Sequence, residues 1–156
     1  MISFINTKSA AIFSKIPESV TLFIARFAIA AVFWRSGQTK IQGFSLDIIT
    51  MKAEFGLPQL ADSTLYLFQH EYNLPLIPPM IAAILATIAE HVLPILILTG
   101  TFTRLAGFGI AMMTLVIQIF VYPDAYPTHA TWIAISLLLM YRGAGNLSVD
   151  HWLTKR

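Results

Sequence analysis

Residues 78–100 read PPMIAAILATIAEHVLPILILTG, and apart from Glu90, His91 and two threonines no residue in this stretch is polar. A helix that crosses a bilayer needs about 20 mostly apolar residues, so the stretch is long enough for one crossing. It is too long and too continuous to be a strand of a membrane barrel. Two prolines at its start and Gly100 at its end are typical helix boundaries. We predict a transmembrane helix over about residues 78–100.

Three further segments have the same apolar character, at about residues 17–42, 105–122 and 128–142. Only residues 101–104 separate the quoted stretch from the segment that follows it, so those two helices must run antiparallel. We expect the first segment to remain in the mature protein, because Arg26 interrupts it and no small-residue cleavage site follows. The predicted fold class is an all-α membrane protein with a bundle of four transmembrane helices.

The composition of residues 1–156 supports a single membrane domain. Hydrophobic residues make up 56% of the chain and charged residues 12%, with a mean hydropathy of +0.70, whereas soluble domains carry about 25% charged residues. The net charge of +2 comes from basic residues spread along the chain, without the clustered basic face of a nucleic-acid-binding protein. We therefore expect the lipid bilayer as a partner, and no nucleic acid. The absence of cysteine excludes thiol chemistry and cysteine-ligated cofactors.

The connection between the first two helices, about residues 43–77, is too apolar to be a flexible linker. Its apolar residues include Phe55, Leu57, Leu60, Leu65, Tyr66, Leu67, Phe68 and Tyr72. We predict that it is an outer helical connection, with interfacial helices lying over the mouth of the bundle. Such helices could either serve only to stabilise the fold or contribute to a binding site.

Lysine and arginine residues in the short loops predict the orientation of the bundle, because cytoplasmic loops carry an excess of them. The turn at residues 122–128 has none, while the opposite end carries Lys8, Lys15, Arg104, Arg142, Lys155 and Arg156. We therefore expect a multi-pass protein with both termini in the cytoplasm.

Two charged residues, Arg26 and Glu90, lie within the predicted transmembrane helices. A charge at the bilayer centre costs about 2.5–3.5 kcal/mol, so such residues usually face the bundle interior and have partners. At 1.5 Å per residue, Arg26 lies roughly 12 Å above the start of its helix and Glu90 roughly 15 Å above Gly100. This similar depth predicts an Arg26–Glu90 ion pair, which could be either a structural strap or part of a functional site.

Glu90 and His91 are the candidates for proton transfer. Pro94 has no N–H and cannot bond the carbonyl of Glu90, four residues earlier, so the helix should bend and leave an acceptor there. An unsatisfied carbonyl beside Glu90 and His91 favours a pocket for a ligand or water. His91 points about 100° around the helix from Glu90, so we expect it to face a different partner.

A second polar set lies near the outer ends of the helices. Its members are Arg35, Gln38, Lys40, Gln118, Tyr122, His129 and Trp132. The antiparallel topology brings them to one membrane level, where they could form a polar pocket with aromatic walls. The aromatic rings could equally belong to an interfacial belt. Along the first helix, Arg26, Gly37 and Lys40 share one face, which combines close packing with buried cations.

The histidines show no metal-binding pattern. None of them has the HExxH spacing, and the pair Glu90-His91 alone does not make a metal site. We therefore predict no metal site. Residues 143–145, Gly-Ala-Gly, lack the third glycine and the lysine of nucleotide-binding loops, and they indicate the end of a helix.

Several of these residues stand in motifs that resemble the DoxX family of small four-helix bacterial membrane proteins. The motifs are Arg26 to Phe33 with Gly37 and Lys40, then Glu90 with LTGTFTRL at residues 98–105, then GAGNLSVD at residues 143–150. The segment VYPDAYPTH at residues 121–129, followed by Trp132, is similar to one branch of that family. Members of this branch are often encoded beside an iron-dependent enzyme that modifies a secreted metal-binding peptide.

The resemblance implies a location in the bacterial inner membrane. It also implies a link to quinone-dependent oxidation, because the family takes its name from the small subunit of a thiosulfate:quinone oxidoreductase. Matching residue by residue carries over Arg26, Lys40, Glu90, Arg104 and Asp150, and it makes Gly37, Gly100 and Gly143 packing or turn positions.

The leading hypothesis is a membrane subunit of a quinone-linked redox system that acts with a partner protein or as a homo-oligomer. In this hypothesis Glu90 and His91 relay protons. The quinone head group would be bound by Arg26, Arg35, Gln38, Lys40, Gln118, Tyr122, His129 and Trp132. The rival hypothesis is a non-enzymatic membrane scaffold or small-solute carrier, which could support metal or secreted-peptide handling through a partner.

Overall fold

The computed structural model describes residues 2–47 and 50–155. The elements in chain order are α1 (Ile2–Phe13), α2 (Glu18–Gln38), β1 (Ile41–Asp47), β2 (Lys52–Leu60), α3 (Asp62–Leu67), a π-helical turn (Phe68–Tyr72), α4 (Pro79–Thr99), α5 (Thr103–Phe120), a 3-10 turn (Pro123–Ala125), α6 (Tyr126–Arg142) and α7 (Val149–Thr154). Within the described residues, α2, α4 and α5 are long and apolar enough to cross a membrane. The helix α6 is shorter, with 17 residues.

The four long helices form an antiparallel bundle in which α2 packs mainly on α4, and α5 mainly on α6. Gly100 ends α4 in the left-handed conformation, with a φ of 72°. Its N–H bonds the carbonyl of Ile97, and the N–H of Thr101 bonds the carbonyl of Leu96, so the chain reverses within a short turn. We call this end of the bundle the Gly100 end, and the opposite end, where β1 and β2 lie, the hairpin end.

Most of the bundle interior is apolar, and so is most of its outer surface. The core is formed by buried residues from all four long helices, Leu22, Ile29, Ala30, Phe33, Ile97, Ala106, Ile110 and Leu139. Large apolar side chains also point outward, among them Ile24, Phe27, Ile84, Leu85, Ile95, Leu105 and Ile119. A water-soluble bundle would carry polar residues on its outer face. The outer surface therefore fits contact with lipid.

The connection between α2 and α4 differs from the helical connection that we predicted. It begins with a two-stranded antiparallel sheet, β1 paired with β2, and only then turns into α3 and the π-helical turn. The all-α prediction is therefore wrong for residues 41–47 and 52–60, which form β1 and β2. The first helix is also shorter than predicted, since α2 ends at Gln38 and β1 begins at Ile41.

Local sequence explains why this segment forms strands. Residues 44–47, Phe-Ser-Leu-Asp, alternate between apolar and polar side chains, which is the period of a strand rather than of a helix. Gly43 has a φ of 82°, and a Cβ added there would lie 2.5 Å from the carbonyl oxygen of Leu57. Glycine thus permits the irregularity in the register next to the Phe44–Phe55 pair.

Candidate functional site

A cavity of about 210 Å³ lies inside the bundle toward the hairpin end. Its walls come from α2, the connection, α4, α5, the loop before α6 and α6 itself. Most of the lining is apolar, and its polar or aromatic members are Phe33, Ser36, Phe68, Tyr72, Glu90, Tyr122, His129 and Trp132. Of the ten predicted site residues, the structure thus brings Glu90, Tyr122, His129 and Trp132 together around one space.

Glu90 is the buried charge of this cavity, and its partner is Lys40. The Nζ atom of Lys40 lies 2.7 Å from Oε2 of Glu90, and each side chain is only 5% exposed. Ser36 joins the pair, because its hydroxyl donates to Oε1 of Glu90 at 3.2 Å and accepts from Lys40 Nζ at 3.1 Å. The contact between Lys40 Nζ and Glu90 Oε2 is an ion pair. Its geometry is not that of a hydrogen bond, so Oε2 accepts no hydrogen bond from the described residues.

The outer connection holds Lys40 in place. The backbone carbonyl of Lys40 accepts hydrogen bonds from the N–H of Ala61 and from the hydroxyl of Thr64, both at 3.0 Å. These bonds fix the chain just beyond the end of α2, so that the side chain of Lys40 returns toward Ser36 and Glu90. The hairpin and α3 therefore help to position the ion pair.

The predicted Arg26–Glu90 pair does not form. Arg26 is fully buried near the Gly100 end, where its guanidinium donates to the carbonyl of Leu98 at 3.3 Å and to that of Leu147. The prediction of this pair was wrong because it assumed that the start of α2 and Gly100 lie at the same level of the bundle. In the structure Arg26 itself is level with the end of α4, so α2 extends roughly 12 Å beyond that level.

Gly100 and Asp150 complete the surroundings of Arg26. A Cβ on Gly100 would lie 2.2 Å from Nη1 of Arg26, so only glycine fits at this position. The Asp150 carboxylate accepts from the N–H groups of Phe102 and Thr103, at 2.9 and 3.0 Å, and thereby caps the start of α5. These residues tie the C-terminal segment to the bundle and do not line the cavity.

His91 does not line the cavity either. Its Nδ1 lies 2.7 Å from the carbonyl of Thr87, to which it donates, and its Nε2 lies 3.0 Å from the amide nitrogen of Gln38. Gln38 in turn accepts from the N–H of Leu46 at 2.7 Å. Gly37 provides the space, since a Cβ there would lie 2.9 Å from the imidazole of His91. His91 and Gln38 thus join α4, α2 and the hairpin.

His129 has a defined hydrogen-bonding arrangement at the cavity wall. Its Nδ1 lies 2.6 Å from Oε1 of Gln118, while the amide nitrogen of Gln118 donates to the carbonyl of Pro123 at 2.7 Å. Because the amide of Gln118 is oriented by Pro123, Nδ1 of His129 is the donor, and Nε2 is the acceptor of the neutral ring. The Trp132 ring contacts both His129 and Phe33, with centroids 5.1 and 5.2 Å apart.

Arg35 is the remaining residue of the predicted polar set. It is exposed on α2 and does not line the cavity. Arg104, which was carried over from the family resemblance, is also exposed and lies beside Gly143, at the opposite end of the bundle from the cavity.

Sequence reasoning missed Tyr72, which lines the cavity, and Glu71, which contacts the lining residue Tyr122. The hydroxyl of Tyr122 donates to Oε1 of Glu71, and this bond is the main cause of the raised pKa of Tyr122. Tyr72 contacts the Tyr122 ring edge-on, at 5.8 Å, and burial raises its pKa. The only sequence signal for this contact was the apolar character of the connection.

The fold and the site together define a class of protein. Helices with apolar residues on both their inner and outer faces, enclosing a buried ion pair and a small cavity, form a helical membrane protein. The family model for DoxX matches residues 21–123, well over half of the chain. The chain therefore belongs to the DoxX family. No curated protein and no solved structure matches it.

Proposed function

We propose that the chain is a membrane subunit of a quinone-linked redox system and that the cavity at the hairpin end binds the quinone head group. The observation that carries this proposal is a largely apolar cavity whose lining includes the two buried polar side chains Glu90 and His129, together with Tyr122. An apolar space with a few convergent polar groups is the usual form of a small-molecule site.

The size and position of the cavity fit a head group rather than a whole lipid. Pockets that enclose a drug-sized ligand measure about 300–1,000 Å³, whereas this cavity measures about 210 Å³. Val32, Leu85 and Val116 line it and are also partly exposed on the outer surface. An apolar tail could therefore leave the cavity toward the lipid while the head group stays inside.

The lining residues offer the interactions that a quinone head group needs. When bound, a quinone would carry electrons between the membrane and a partner protein. The Phe33 and Trp132 rings form an aromatic wall against which a flat ring can pack. Glu90 and His129 hold positions from which a proton can be given or taken at the head-group oxygens. Lys40 and Ser36 keep the Glu90 carboxylate in place.

We also propose four membrane crossings, with α6 as the fourth. Its 17 residues span about 25 Å, which a locally thinned bilayer accommodates at modest cost. Lys and Arg in the loops of the Gly100 end favour the cytoplasm for that end and for both termini. Membership of a family of bacterial membrane proteins supports the inner membrane as the location.

Mass spectrometry of the protein purified in mild detergent tests the quinone proposal. We expect quinone to co-purify with the wild type in a stoichiometric amount and to be reduced or lost in Glu90→Gln and in His129→Ala. Thr131→Ala, on the exposed face of α6, is the matched control and should retain quinone. If the folded wild type neither contains quinone nor binds added quinone, the proposal is wrong.

The second candidate function is a membrane scaffold or small-solute carrier, including one that supports metal or secreted-peptide handling. The observation that favours it is that two residues of the cavity lining make polar contacts with residues behind the lining, Glu90 with Lys40 and Tyr122 with Glu71. Such contacts could act as gates. Solute flux in liposomes that Glu90→Gln abolishes, with the fold intact, would favour this function over the redox one.

A further inference from the structure

The cavity lining offers a ligand free hydrogen-bond acceptors and almost no free donors. The lining side chains that can form hydrogen bonds are those of Ser36, Tyr72, Glu90, Tyr122, His129 and Trp132. The cationic side chains of Lys40 and Arg35 are not part of the lining. A buried donor or acceptor that a ligand leaves unsatisfied weakens binding, so the state of each of these side chains determines which ligand fits.

His129 offers an acceptor to the cavity. Its Nδ1 donates to Gln118, whose amide is oriented by the carbonyl of Pro123, so Nε2 carries the lone pair of the neutral ring. The described part of the chain gives Nε2 no hydrogen-bond partner. The ring is buried, and its bonding partner is an amide rather than a carboxylate, which favours the neutral ring over a buried cation.

Glu90 is the second acceptor. As the ion-pair partner of Lys40 it is a carboxylate, which accepts hydrogen bonds and donates none. Ser36 donates to Oε1, and Lys40 lies against Oε2. A carboxylate has about four acceptor positions on its two oxygens. Positions are therefore left for the donors of a ligand.

The hydroxyl protons of the lining are already used within the protein. Ser36 donates its proton to Glu90. Tyr122 donates its proton to Glu71. The side chain of Tyr72 forms a hydrogen bond with Tyr122. Tyr72 is the donor in that bond, because the only proton of the Tyr122 hydroxyl points to Glu71.

We propose that the quinone site described above binds the reduced head group, the hydroquinone, in preference to the quinone, an inference that rests on the proposed function. A hydroquinone has two O–H donors, which match Glu90 and Nε2 of His129. Its oxygens also accept from the indole N–H of Trp132, the lining donor that has no partner in the described part of the chain. A quinone has only carbonyl acceptors and would leave both protein acceptors unsatisfied in an apolar space. The two forms have nearly the same size, so hydrogen bonding decides between them.

Calorimetric titration of the wild-type protein in nanodiscs tests this preference, with empty nanodiscs as the blank. The probes are a benzoquinone and a naphthoquinone with one isoprene unit each. Each is titrated without oxygen in three forms, as the quinone, as the hydroquinone and as the hydroquinone dimethyl ether, which lacks the O–H groups. We expect the hydroquinone to bind about tenfold or more tightly than the other two forms, which is the effect of one buried acceptor left without a donor.

The variant His129→Phe keeps an aromatic ring and removes the acceptor. We expect its affinity for the hydroquinone to fall severalfold and its affinity for the quinone to stay within about twofold, whereas a loss of packing alone would weaken the binding of both. Thr131→Ala, on the exposed face of α6, is the matched control and should change neither affinity.

The titrations separate a failure of this preference from a failure of the proposed function. Equal affinity for the hydroquinone and the quinone, or tighter binding of the quinone, would overturn the preference and leave the quinone site in place. Binding of the dimethyl ether as tight as that of the hydroquinone would do the same. If the folded wild type binds none of the probes, both the preference and the quinone site are wrong.

Discussion

Lys40 and Glu90 form an ion pair, with 2.7 Å between Nζ and Oε2, inside the bundle at the inner end of the cavity. Lys40 lies just beyond the end of α2 and Glu90 lies in the middle of α4, so the pair fixes how these two helices meet. Ser36 contacts both partners and completes a three-residue polar group. Each charge compensates for the burial of the other, which explains how both can be nearly excluded from water.

Breaking this pair on one side should destabilise the protein strongly. We expect Lys40→Met and Glu90→Gln each to lower the free energy of unfolding, Lys40→Met by about 3–5 kcal/mol, because it leaves a buried carboxylate unpaired. The double variant should lose less than the sum of the two. Unfolding in mixed detergent measures these differences. The control is Glu18→Gln in the exposed Glu18–Arg142 pair, which should cost about 0–1 kcal/mol. A cost of that size for Lys40→Met would contradict the prediction.

The cap that Asp150 provides should contribute measurably to the free energy of unfolding. Asp150→Ala leaves the N–H groups of Phe102 and Thr103 without their acceptor, and we expect a loss of about 0.5–2 kcal/mol in the free energy of unfolding. Asp150→Asn keeps an acceptor oxygen and should lose less. Asp124→Ala, at an exposed position in the turn before α6, is the control. Equal stability of Asp150→Ala and the wild type would rule out the cap.

Gly100 should not tolerate a side chain. Its φ of 72° is unfavourable for alanine, and the added Cβ would lie against Nη1 of Arg26. We expect Gly100→Ala to destabilise the protein by at least about 1–2 kcal/mol, as measured by the same unfolding assay. Gly109→Ala is the matched control, because a Cβ there meets only the flexible end of Leu93, and alanine favours a helix interior by about 0.5–1 kcal/mol. A smaller loss at Gly100 than at Gly109 would be inconsistent with the structure.

The sequence predicted the four long helices α2, α4, α5 and α6 because their signals are local. Apolar length, Pro79 and Gly100 define α4 without any knowledge of its neighbours, and the short turn after it dictates an antiparallel partner. The hairpin was missed because the apolar content of residues 43–77 outweighed the alternation at residues 44–47. Both features stand in the sequence, and only the alternation distinguishes a strand from an interfacial helix.

Contacts between residues of different helices were harder to predict, because they depend on how far neighbouring helices are offset along their axes. Glu90 was correctly expected to need a partner, but the choice between Arg26 and Lys40 depends on how far α2 extends past Gly100. No local pattern encodes that distance, since it follows from the packing of residues 143–150 against the start of α2. The Tyr122–Glu71 contact depends in the same way on where the π-helical turn lies over the bundle.

The Tyr122–Glu71 bond should make stability depend on pH in the alkaline range. The bond raises the pKa of Tyr122 above its ordinary value of 10.0 in the folded protein, so the protonated tyrosine is favoured by folding. Its contribution is fully present below about pH 10 and is lost as pH rises from there through the folded pKa. We expect the difference in unfolding temperature between wild type and Tyr122→Phe to be constant up to about pH 10 and to shrink above it. Glu71→Gln should lower the pKa of Tyr122, as read from tyrosinate absorbance with Tyr122→Phe as the blank. A difference that stays constant at all pH values would show that Tyr122 does not donate to Glu71 in solution.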